Sequence, residues 1–268
     1  MKAFINHFSF EFRAGIRNKQ LLLMNYLFPL GMYFLLGMIM TQIDPTFKEN
    51  LIPVMVTISI LAATLLGIPD PLVNARENGI FRSYKINGIP ALSILAIPAL
   101  TTIVHLIIVA SIITATAPLL FGAPLPANWF NFIITFFGMA FACSGISILI
   151  GVISKTSRIT ILWSQLIFVP SMLLGGLMLP FDFLPPFIGQ IGLLLPTPHA
   201  MNSFTGLSIG ETLPAWGSLL VLFTSGLLAF TLAYFLFSWD SRNSKKEGRN
   251  LLGLLVLLPN IISILLFI

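Results

Sequence analysis

Asn74–Pro90, reading NARENGIFRSYKINGIP, is a charged island in an apolar chain. It carries Arg76, Glu77, Arg82 and Lys85 among Asn78, Asn87 and the glycines Gly79 and Gly88. Long apolar runs flank it on both sides. A charge at the centre of a membrane helix costs roughly 2.5–3.5 kcal/mol, so such a cluster cannot lie in hydrocarbon. The island must reach water, and the runs beside it must enter and leave a membrane.

Composition gives the same answer. Of 268 residues, 57% are hydrophobic and 9% charged, against about 25% charged in a soluble domain. That much apolar surface exceeds what a core of this size buries, so lipid must solvate part of it. The runs are continuous rather than alternating, as helices need and membrane barrels do not. The fold class is therefore all-α integral membrane. The net charge of +5 comes from basic residues in short connectors, which reads as topology and not as nucleic-acid binding. The single cysteine, Cys143, lies in an apolar run and excludes an intrachain disulfide. Met1–Gln20 is polar and aromatic, unlike a cleavable signal.

Working outward from the island, six runs are long enough to span: 21–40, 52–73, 91–121, 129–153, 159–181 and 215–238. The third is long enough to tilt or to kink at Pro98 or Pro118. Before the first run, Phe4, Phe8, Phe12 and Ile16 fall on one helical stripe, with Arg13, Arg17 and Lys19 off it. That pattern predicts a helix lying in the membrane interface. With the N-terminus in the cytoplasm, every Lys and Arg except Lys48 falls on the inside, as the positive-inside rule requires. The expected location is thus the cell membrane, multi-pass, with a cytoplasmic N-terminus and a cytoplasmic island.

The connector 182–214 is itself mostly apolar and is interrupted by Pro185, Pro186, Pro196 and Pro198. Short helices dipping into the outer leaflet and ended by prolines fit it, enclosed by protein or water. Residues 1–240 read as one transmembrane unit. Residues 241–268 form a basic linker and an apolar segment, which is either a seventh span or a hairpin turning at Pro259–Asn260.

Two stretches together resemble the type-2 ABC transporter permeases. ARENGIFRSYKINGIP is similar to that family's cytoplasmic E-R-E-x-G-T…P loop, with Arg76, Glu77 and Gly79 on the charged pair and glycine and Pro90 on the closing proline. PSMLLGGLMLPFDFLPPFIGQIGLLLPTPHAM is similar to its fifth span and outer re-entrant hairpin, through Pro170, Gly175, Gly176, Pro180, Pro185 and Pro196. The tail after 250 and the prolines around Asp70 depart from the usual six-span plan. The resemblance implies a six-helix exporter transmembrane domain with an N-terminal interfacial helix and an outer hairpin marked by Pro180, Pro185, Pro196 and Pro198. It also implies a half-transporter that pairs with a second permease subunit, identical or related, and seats on a separate ATP-binding subunit. This chain has no G-x-x-x-x-G-K-[ST] loop, so ATP and Mg belong to the partner and no cofactor is expected here. The island then becomes a coupling helix, with Phe81 and Tyr84 as anchors, Arg76, Glu77, Arg82 and Lys85 around the rim, and Gly79 on the family's glycine. An apolar path between the first, second and fifth spans is expected to use Phe28, Phe34, Met38, Leu65, Phe168, Met172 and Met178, for a lipid, drug or peptide cargo.

Other chemistry has thinner support. Gly206, Ser208 and Gly210 spell G-x-S-x-G near His199 and Glu211, but a hydrolase elbow needs a strand before the serine. A membrane-embedded enzyme using Ser208, His199 or His105 is the alternative reading. Residues 141–145, FACSG, do not match an intramembrane serine-protease motif. His105 sits within the third run, where an ionisable group marks either function or an imidazole bonded to a neighbouring helix. His7 lies in the N-terminal segment. An ion-coupled carrier would want several acidic residues within its spans, and only Asp70 lies near one. No metal motif occurs. Gly138, Ala142, Gly145 and Gly151 permit close packing of the fourth run.

Overall fold

The computed structural model describes residues 2–178, 185–209, 212–239 and 244–267, and every regular element among them is helical. An amphipathic helix α1 (Lys2–Arg17) leads into the first span α2 (Lys19–Ile43). The second span, Phe47–Glu77, is built from α3 (Phe47–Leu61), a π-turn (Ala62–Leu66) and α4 (Pro69–Glu77). The short helix α5 (Ile80–Ile86) precedes the third span α6 (Ala91–Phe121). The fourth and fifth spans are α7 (Trp129–Ile153) and α8 (Ser157–Leu174). Helices α9 (Pro186–Gly192) and α10 (Pro196–Ile209) follow, then the sixth span within α11 (Thr212–Leu236). A 3-10 run over Ser244–Leu257 passes directly into α12 (Leu258–Phe267). Six of these helices are long and apolar enough to cross a membrane.

The second span is the hub. Its most apolar window is 89% buried, against 28% for the first and fifth spans. Leu51, Ile52, Met55, Ile58, Leu61 and Leu65 lie in the core. The fourth and sixth spans pack through small residues: a Cβ on Gly145 would come within 3.0 Å of the Gly226 carbonyl, and one on Gly226 within 2.4 Å of Phe141. This is the close approach that the small residues of the fourth run permit.

Three features depart from the sequence expectation. Both π-turns precede a proline: Leu23–Leu27 before Pro29, and Ala62–Leu66 before Pro69. A proline supplies no N–H to the carbonyl four residues back, and the wider turn accommodates that gap. The third span, in contrast, continues as helix through Pro98 and Pro118. The fifth helix ends at Leu174, short of residue 181. A Cβ on Gly175 would lie 2.2 Å from the Ser171 carbonyl and 2.6 Å from Thr197, and Gly176 has φ 73°. The glycine pair therefore ends the helix rather than bending it within the membrane.

In the hairpin the prolines start helices instead of ending them. Pro186 and Pro196 are the first residues of α9 and α10, where a missing N–H costs nothing. Pro196 and Pro198 are buried and Pro185 is exposed; Pro180 lies outside the described residues. Helix α10 enters the core through Ala200, Met201 and Phe204. In the tail, Pro259 and Asn260 occupy the first turn of α12, so no hairpin turns there. The Asn260 amide donates to the Leu194 carbonyl (2.8 Å), and its oxygen accepts from Ser225 (3.3 Å).

Candidate functional site: the loop after the second span

The island folds as two short helices meeting at a corner. Helix α4 opens with Pro69 and carries Asp70 in its first turn, where an acid suits the helix dipole. It stops at Asn78, and Gly79 turns the chain with φ 74°. Nothing lies within 4 Å of a Cβ built on Gly79, so the left-handed backbone alone demands glycine there. Helix α5 closes on Gly88, φ 71°, with Gly88 N–H to Lys85 O (3.1 Å) and Ile89 N–H to Tyr84 O (3.0 Å). That pair of bonds is a Schellman ending, and Pro90 after it prevents continuation.

Support comes from beneath. Phe81 is 3% exposed, and its ring lies 5.5 Å from Phe237. Phe237 meets Trp239 edge-on at 5.1 Å, and the Lys85 ammonium sits 6.0 Å from the Trp239 ring centroid, within cation–π reach. Tyr84 is half-buried, and burial, with a smaller effect from the Glu11 carboxylate, pushes its phenol above the ordinary value. It is thus a neutral hydroxyl at physiological pH. Arg76 is buried. Its guanidinium donates to the Val152 carbonyl (2.8 Å) and to the Ser154 carbonyl, the last acceptors of the fourth span.

Burial within the chain divides the expected anchor and rim. Phe81 faces inward, and Arg76 is not on the rim. Glu77, Arg82 and Lys85 are exposed. Two apolar residues not singled out from the sequence join them: Ile80 is 41% exposed and Ile86 is 85% exposed. Their signal was present in the spacing, because a short helix that buries Phe81 turns Ile80 and Ile86 away from it on either side. A charged loop simply drew attention to its charges.

The path residues are divided. Phe34 and Met38 lie on the exposed face of α2. Phe28 is half-buried and packs on Phe168 at 6.1 Å. Leu65, Phe168 and Met172 are buried within the chain, with Met178 packed against the same core.

The histidines are structural neighbours. His105 Nδ1 lies 2.6 Å from the Tyr26 hydroxyl of the first span, and its ring stacks on Phe12 of α1 at 4.6 Å and 4°. This is the helix-bonded imidazole of the two readings. Only part of the N-terminal stripe docks, since Phe12 packs on His105 while Ile16 is 46% exposed. His199 Nε2–H donates to the Leu193 carbonyl (3.0 Å), and burial lowers its pKa against the opposing effect of that bond. Ser208 lies in the last turns of α10, in helix rather than after a strand, so the elbow a serine nucleophile needs is missing there. Gly210 and Glu211 lie outside the described residues.

The family model for the ABC-2 type transporter matches residues 4–208, and the chain belongs to that family. It is a transport permease subunit of an ABC transporter and not an enzyme; a separate partner carries the ATPase. The chain is 21% identical over 238 residues to a Bacillus subtilis (strain 168) protein named "Putative transport permease YvfS", covering 84% of this chain and 93% of that one. No solved structure matches the chain.

Proposed function

We propose that this permease is the membrane half of an ATP-driven exporter in the cell membrane, with its N-terminus and the α4–α5 corner in the cytosol. The observation that carries the reading is the two-sided build of α5. Phe81 packs its inner side on Phe237, just past the sixth span, while Ile80, Arg82, Lys85 and Ile86 of α5, with Glu77 at the end of α4, are exposed as apolar residues edged by charge. A small apolar centre with a polar rim is the composition of a docking surface. The occupant is the ATP-binding subunit, which holds ATP and Mg. The basic residues of the connectors support the orientation.

The second permease subunit, a copy or a relative, fits against the first and fifth spans. These are the two least buried, and an apolar groove of about 570 Å³ runs along α2 past Leu23, Leu27, Leu30 and Phe34. A path bounded by such walls suits an apolar or amphipathic cargo such as a lipid, drug or peptide. Nucleotide-driven closure of the ATPases would rotate the paired subunits against each other, an interface rotation of a known kind.

The test is co-purification. The tagged protein should carry an ATP-hydrolysing subunit, and Glu77→Ala with Ile86→Ala should strip it off while the permease keeps its thermal stability. Undiminished ATPase recovery in that double variant would remove the docking assignment.

A further inference from the structure

We infer that α4 is a bracket that ties the docking corner to the joint between the fourth and fifth spans, so that a push on the corner moves the fifth span rather than the upper part of the second. This rests on the docking reading above.

The second span is interrupted where a rigid rod would be expected. The π-turn Ala62–Leu66 is followed by Gly67 and Ile68 in a turn and bend, then by Pro69 and Pro71. A Cβ on Gly67 would lie 2.3 Å from the Ala63 carbonyl, so only glycine fits. The two prolines remove two successive chances to rebuild the ladder of hydrogen bonds. A π-turn and closely spaced prolines are recognised causes of a kink in a helix.

Below that break, α4 is fastened elsewhere. Arg76 closes the C-terminal end of α7 by donating to the Val152 and Ser154 carbonyls. Asp70 accepts a hydrogen bond from Ser157, the first residue of α8, and another from Asn74 at 3.0 Å. A cation thus sits at the end of one helix and an anion at the start of the next, each where the helix dipole favours it. Gly151 brings the surfaces together, since a Cβ there would meet Leu72 at 2.7 Å. Arg76, Asp70 and Gly151 together hold both sides of the short connector 154–156. Asp70 and Arg76 are positioning residues: they act through α8 and touch no cargo.

The experiment uses the permease in complex with its ATPase, reconstituted in lipid nanodiscs. Spin labels at Leu162→Cys on the fifth span and Leu227→Cys on the sixth report their separation; both positions are well exposed, at 66% and 63%. The native Cys143 is fully buried and stays unlabelled. With Asp70 intact, the distance should shift between the nucleotide-free and the vanadate-trapped states. In Asp70→Ala and in Ser157→Ala the shift should be lost while the bound subunit still hydrolyses ATP, and the double variant should be no worse than either single one. Asp70→Asn keeps an acceptor for Ser157 and should restore the shift. A shift that persists in both alanine variants overturns the bracket. So does loss of hydrolysis and shift together in all three variants, which is the mark of a purely structural role. If the unaltered permease binds no ATPase, the docking reading itself fails, an outcome distinct from one in which parent and variants move alike.

Discussion

At the scale of single residues, the loop separates support from recognition. Phe81 is packed on Phe237 and almost fully buried, so Phe81→Ala should cost about 3–5 kcal/mol, as large-to-small core changes do. A thermal melt in detergent would register it as a lower midpoint. Ile86 is 85% exposed, and Ile86→Ala should change stability by less than about 0.5 kcal/mol while reducing ATPase recovery. An equal loss of stability in both variants would contradict this division. Gly79→Ala forces a Cβ into a left-handed backbone and should cost about 1 kcal/mol, again read from the melting midpoint. Residue type on its own hid this division. A phenylalanine and an arginine in a water-seeking loop look exposed in one dimension. Their partners, Phe237 and the carbonyls of Val152 and Ser154, are distant in sequence, and no local pattern announces them.

At the scale of elements, the sequence was most legible where one physical rule dominated. The fourth span matched at 129–153 because an uninterrupted apolar run between polar ends has only one reading. The ending at Gly88 and Pro90 carried a signal that went unread, since Gly and Pro in that order close a helix. The fifth span was overextended because hydrophobicity alone does not reveal that Gly175 has no room for a side chain. The π-turns were missed because period counting assumes a constant turn. Their signal, Pro29 and Pro69, was in view. Gly175→Val should destabilise the junction of the fifth span and hairpin by about 1–3 kcal/mol, as overpacking does; unchanged stability would mean that Thr197 can give way. The tail offers a further case. Asn260→Leu removes the donor to the Leu194 carbonyl and should cost about 1–3 kcal/mol, measured as faster proteolysis of the C-terminal segment.

At the scale of the whole molecule, composition was sufficient for class, and connector charge gives an expected orientation. The six-helix membrane domain and the family were both within reach of the sequence, because lipid imposes length and polarity on every span. Path geometry was not, because it depends on a second chain. The orientation is open to direct measurement. In intact cells, a membrane-impermeant thiol reagent should modify Lys48→Cys and spare Arg82→Cys, and breaking the cells should expose the latter. Labelling of position 82 before lysis would reverse the topology and detach the loop from any cytosolic motor.

The two-sided build of α5 has an evolutionary corollary. Because Ile80, Glu77 and Ile86 are exposed, they are at liberty to drift as a set. A lineage could exchange one power source for another by rewriting a handful of letters, leaving Phe81, Gly79 and Arg76 untouched. Grafting this face onto a sister permease should therefore carry the choice of engine with it.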